Sequence, residues 1–119
     1  LPRNAAMPSL SLRIDLDPEG RIGPGKIDLL EKIAETGSIS AAARAMGMSY
    51  KRAWDLVDEM NRLFGKPVVA AQSGGMRGGG ASLTAIGQSV VTRFRAIEAA
   101  ALSAASAEMA ALQAEIDAG

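Results

Sequence analysis

The chain has 119 residues, 48% of them hydrophobic, which suits one well-buried domain and argues against disorder. It has no cysteine and no histidine, so disulfides, thiolate chemistry, the commonest general base and the commonest metal ligand are all missing. The formal charge is zero, yet Arg44, Lys51, Arg52, Arg62, Lys66, Arg77, Arg93 and Arg95 crowd the middle against only Asp55, Asp58 and Glu59, and after Arg95 only acidic charges follow. A neutral chain with this distribution can still turn one basic face toward phosphates. No apolar run reaches membrane-spanning length and no signal peptide opens the chain, so a cytoplasmic protein without a membrane partner is expected.

Residues 1–8 read as a leader outside the fold. Ser9 to Asp15 alternates, with Leu10, Leu12 and Ile14 on one side, which predicts a half-buried strand. Asp17-Pro18-Glu19-Gly20 has the chemistry of a tight turn. Pro24 can begin a helix without losing a needed donor, Ile27, Leu30, Ile33 and Ala34 follow at helical spacing, and Gly37 is placed to end it. A short second helix fits Ser40 to Met46, capped by Ser38 or Ser40. Gly47-Met48 turns, Ser49 caps a third helix over Tyr50 to Phe64, and Gly65 and Pro67 close it. Ala53, Val57, Met60 and Phe64 form its apolar stripe, with Trp54 beside them as a core residue, while Lys51, Asp55, Asp58 and Arg62 lie opposite.

Val68 to Ala70 predicts a strand, Gly74 to Gly80 a glycine-rich tip carrying Arg77, and Ala81 to Leu83 the returning strand. Thr84 then caps a last helix running from Ala85 to about Ile116, roughly 45–50 Å at helical rise. Its stripe is Ile86, Val90, Phe94, Ile97, Ala101, Ala105, Met109, Leu112 and Ile116. So long a helix overshoots a domain of this size, and its apolar stripe is expected to bury against a second copy of itself. The alternative is that it folds back on its own domain.

The expected fold is mainly α (α+β): a winged helix-turn-helix domain over 9–84, followed by a dimerisation helix over 85–119. Gly37 to Phe64 fits the helix-turn-helix, with Ala41, Ala42 and Ala43 letting two helices cross closely. A helix fits the major groove of duplex DNA, and its first turn reaches base edges. Ser49, Tyr50, Lys51, Arg52 and Asp55 hold that position. Lys51 and Arg52 can donate to guanine, Asp55 can accept from cytosine N4, and Ser49 can bond phosphate or base. Ser38, Ser40 and Arg44 at the second helix, with Arg77 at the hairpin tip, complete the expected DNA-binding set. Two glycine-rich stretches are weak nucleotide motifs: no Lys-Ser/Thr pair follows the tip, and Pro24 spoils the spacing in Gly20 to Gly25.

From Arg21 through Thr84 the chain resembles the N-terminal domain of the molybdate-responsive ModE regulators. The resemblance rests on GKIDLLEKIAETGSISAAARAMGMSYKRAWDLVDEMN, then FGKPVV, then GGMRGGGASLT. The GSISAAARAMGMS portion is shared with LysR-type regulators; SYKRAWDLVDEMN and the glycine-rich wing are the more ModE-like features. The resemblance implies a winged helix-turn-helix dimerised through its flanking helices, with Ser49, Tyr50, Lys51, Arg52 and Asp55 reading DNA and Arg77 on the wing. Family members carry molybdate-binding domains after this module. A chain running to Gly119 lacks room for them, so molybdate binding is not expected within it. The leading expectation is a homodimeric regulator of transcription, a repressor linked to molybdenum metabolism, with no cofactor and no metal. A winged-helix protein-interaction module without DNA binding is the alternative. An enzyme is not expected, because no nucleophile, base and orienting group stand in a recognisable arrangement.

Overall fold

The computed structural model describes residues 7–18, 20–72 and 80–118. Expectations that fall on residues 1–6, on Glu19 and on 73–79, Arg77 and most of the wing tip among them, lie outside the described residues. Among those described, the order is β1 (Ile14–Leu16), β2 (Gly20–Ile22), α1 (Pro24–Thr36), α2 (Ile39–Ala45), α3 (Tyr50–Phe64), β3 (Val69–Gln72), β4 (Gly80–Leu83) and α4 (Ala85–Ala118). β1 and β2 form one antiparallel ribbon, and β3 and β4 form another. This is a winged helix-turn-helix with a long C-terminal helix.

The helix boundaries follow from local chemistry. Pro24 opens α1, and Gly37 ends it in the left-handed region at φ 70°, its amide bonding back to the Ile33 carbonyl. That conformation costs glycine nothing and penalises other residues. Of the two candidate caps for α2, Ser38 is the one that caps: its hydroxyl accepts from the Ala41 amide, so the helix starts at Ile39 and ends at Ala45. α3 spans its expected residues, between the Ser49 cap and Gly65.

The first strand is shorter than its alternation suggests, a correction to the expected Ser9–Asp15. Only Ile14–Leu16 is strand, pairing Ile14 with Ile22 and Leu16 with Gly20, whereas 9–13 carry no regular structure. The reason is the partner. β2 has three residues between the tight turn and the start of α1, so nothing remains for Ser9 to Arg13 to pair with. Alternation marks a strand only where another strand can answer its hydrogen bonds. The wing strands shift as well: β3 runs through Gln72, and Gly80, expected in the tip, pairs with it.

The core is built around α1. Ile27, Leu29, Leu30 and Ile33 are fully buried against Ala42 and Ala43 of α2, Ala53, Val57 and Met60 of α3, and Val68. Each large apolar side chain so placed contributes about 1.5–3 kcal/mol relative to exposure. Trp54 packs on this cluster as expected of a core residue. Leu56 is buried too, although it stands outside the stripe read from the sequence.

α4 divides the stripe assigned to dimerisation. Phe94 is 2% exposed inside its own domain, and Ile86, Val90 and Val91 pack on the same core. Phe94 is therefore corrected from a dimer contact to a core residue, because the covering surface for this part of the stripe is α1 and the wing base. Beyond it the same face emerges into solvent: Ile97, Leu112 and Ile116 are 45, 69 and 72% exposed. Met7 and Pro8, expected outside the fold, lie beside this distal half, sharing a shallow concavity with Leu102, Met109 and Gln113.

Candidate nucleic-acid interface

α2 and α3 cross over their small residues, and Gly47 at φ 67° makes the turn between them. The base of the wing is bound into the same unit. The Ala81 amide of β4 donates to the Gly37 carbonyl at 2.8 Å, and the Thr84 amide donates to the Val68 carbonyl at 3.0 Å. Asn61 of α3 accepts from the Val68 amide at 2.9 Å, and the Thr84 hydroxyl donates to the Pro67 carbonyl at 2.7 Å while accepting from Gly87. α4 approaches so closely here that a β-carbon at Gly87 would collide with the Val68 carbonyl oxygen. The parts played by Asn61 and Gly87 have no signature in the sequence; only the meeting of distant segments reveals them.

At the head of α3, Ser49 accepts from the Arg52 amide at 3.0 Å. Its hydroxyl hydrogen, like that of Ser38, is then left to donate outward. Tyr50 is 55% exposed and meets Trp54 edge to face at 6.3 Å, which anchors its ring and leaves its hydroxyl to act as a donor. Lys51 reaches Asp55 at 3.0 Å, with the lysine side chain 84% exposed. An open i,i+4 pair of this kind is worth a few tenths of a kcal/mol, so a phosphate or a base can take Lys51 over at little cost. Arg44 donates to Ser40 at 3.1 Å on the exposed face of α2. Arg52 is exposed and lines a concavity with Arg13, Arg21 and Lys26. The structure thus links the expected residues in local pairs along the exposed side of α2 and at the start of α3; Arg77 lies outside the described residues.

Arg95 leaves the basic face. It forms a two-point pair with Glu31 of α1, at 2.6 and 3.1 Å, and also reaches Asp28 at 2.8 Å and Glu98 at 2.7 Å. The hydrogen bond from Arg95 holds the Glu31 carboxyl below its ordinary value, and these acids push the guanidinium still higher. Its charge is spent fastening α4 to α1, and not on attracting phosphate as its place in the basic stretch suggests.

Comparison with known proteins agrees with this architecture. Residues 25–88 match the family described as bacterial regulatory helix-turn-helix protein, lysR family. The chain is 53% identical over 79 residues to the molybdenum-pterin-binding protein MopB of Rhodobacter capsulatus, covering 66% of this chain and 29% of that one. It is 41% identical over 87 residues to the molybdenum transport protein ModE of Azotobacter vinelandii, covering 73% and 32%. To the DNA-binding transcriptional dual regulator ModE of Escherichia coli it is 48% identical over 71 residues, covering 60% and 27%. The chain thus spans about a third of the length of these relatives. A crystal structure of a CbnR_DBD-DNA complex shares the fold, with a TM-score of 0.55 at 23% identity, covering 73% of this chain and 95% of that one.

Proposed function

Because the chain belongs to the lysR family of bacterial regulatory helix-turn-helix proteins, we propose that it is the DNA-binding part of a transcriptional regulator acting as a homodimer, with α3 in the major groove. The single observation that carries this is the head of α3. Four exposed residues, Ser49, Tyr50, Lys51 and Arg52, stand at the start of an otherwise core-anchored helix, with no strong internal claim on either cation. Lys51 and Arg52 offer donors to guanine, Asp55 can accept from cytosine once Lys51 turns outward, and Ser38, Ser40 and Arg44 supply phosphate contacts. Arg77 would extend the contact from the wing.

The distal half of α4 pairs with its copy through Ile97, Ala101, Ala105, Met109, Leu112 and Ile116. Support comes from their half-buried to exposed placement in a single chain and from the small residues among them, which permit close helix approach. Among the described residues no helix is long and apolar enough to cross a membrane. The names of the relatives connect them with molybdenum, and we extend that to the target genes of this regulator, with repression as its mode.

The test is a fluorescence-anisotropy titration of duplexes from the gene's own upstream region at several salt concentrations. Tight binding to one duplex, falling steeply with salt and weakened in Lys51→Ala, is the expected result. Failure to bind any duplex at low salt would refute the proposal and favour a protein-binding role.

A further inference from the structure

The residues expected to bind DNA leave most of one basic feature unused. Arg13, Arg21, Lys26 and Arg52 line a single concavity with Gly23 and Gly25. They come from four places in the chain: the segment before β1, β2, the first turn of α1, and the first turn of α3. Two of the four charges are answered, Arg21 by Asp15 at 2.7 Å and Lys26 by Glu59 at 3.1 Å. Arg13 and Arg52 form no ion pair among the described residues.

Arg13 is placed where its charge is least welcome. Its stem lies across Gly23, so closely that a β-carbon there would stand 2.8 Å from the Arg13 Cγ. Gly23 is the residue preceding α1; it has no side-chain cap, and no acid occupies the first turn. The positive end of a helix, which attracts anions, therefore meets the Arg13 guanidinium, which has no counter-charge among the described residues, while the nearby Lys26 ammonium is held by Glu59. A β-carbon at Gly25 would meet nothing within 4 Å, so the approach to this helix end is open. The concavity also adjoins Arg52 on α3, so an anion seated in it lies beside the element proposed to enter the major groove.

We propose that this concavity is a phosphate site filled by the DNA backbone: Arg13, Arg21 and Lys26, beside Arg52, grip a phosphate on the flank of the groove that receives α3. A duplex supplies such groups at fixed spacing, and contacts of this kind set register without reading sequence. The inference rests on the proposed DNA binding, so its test must fail separately from that reading.

The test compares wild type, Arg13→Gln, Arg21→Gln and Lys51→Ala by anisotropy on the preferred duplex and on an unrelated one, over a range of KCl concentrations either side of about 0.1 M. Removing one phosphate interaction lowers the slope of log K against log salt by about 0.9, close to eightfold in affinity near 0.1 M. Arg13→Gln and Arg21→Gln are each expected to lose part of this on both duplexes and the double variant all of it, and Arg13→Lys to retain the slope. Lys51→Ala is expected to reduce preference between the duplexes. Loss of preference in Lys51→Ala with wild-type slopes in both glutamine variants would overturn the phosphate site and leave α3 as the reading helix. Failure of the wild type to bind either duplex would overturn both.

Discussion

Ser49 fixes a helix boundary at the turn proposed to meet DNA. Its oxygen accepts from the Arg52 amide, fixing where α3 begins, and its hydroxyl keeps a hydrogen to donate at the same exposed turn. Ser49→Ala is expected to cost about 1 kcal/mol of stability, measured by urea unfolding. At the proposed interface, Lys51→Ala and Arg52→Ala should each weaken specific binding by about 1–3 kcal/mol for every base the side chain reads, with their unfolding midpoints unchanged. Gly87 makes the opposite kind of prediction. Alanine is ordinarily favoured in a helix, yet here its methyl would collide with the Val68 carbonyl oxygen, a backbone atom that cannot swing aside. Gly87→Ala should destabilise by about 1–3 kcal/mol, read in the same unfolding measurement.

Among the elements, α4 changes surroundings along its length. Phe94 belongs to the domain core, so Phe94→Ala should cost about 3–5 kcal/mol of folding stability. Leu112 is 69% exposed, so Leu112→Ala should leave the folded monomer intact and weaken only self-association, measured by sedimentation equilibrium. Truncation after Glu98 keeps the Arg95 cluster and should give a folded monomer. That cluster also has a pH signature. The folded-state value of Glu31 lies below the ordinary 4.5, so its stabilisation is present above that value and is lost as pH falls through the folded one. Arg95→Met should lower stability by about 1 kcal/mol at pH 7, allowing for partial exposure, and should flatten the acid-side decline.

The helices were legible because their signals are local. Pro24, Gly37, Ser49 and Gly65 bracket α1 and α3 within a few residues of the hydrogen bonds they satisfy. β1 was overdrawn because its length depends on how many residues β2 can offer. Periodicity could not say which body covers each part of the α4 stripe, and Phe94 fell to its own domain. Arg95 and Arg13 were opaque for the same reason: the acids that claim one, and the helix end that receives the other, are set by tertiary placement.

Taken whole, the molecule measures 59 × 40 × 21 Å, with the distal half of α4 set apart from the recognition end. Two copies joined there would present two α3 helices related by a two-fold axis, to a site of matching symmetry. The direct measurement is selection of duplexes from a random pool by the wild-type protein, followed by sequencing. An inverted repeat should emerge, with half-site centres about 34 Å apart or a multiple of that. A recovered pool no more alike than the starting one would contradict the proposal, because α3 would then not be reading bases.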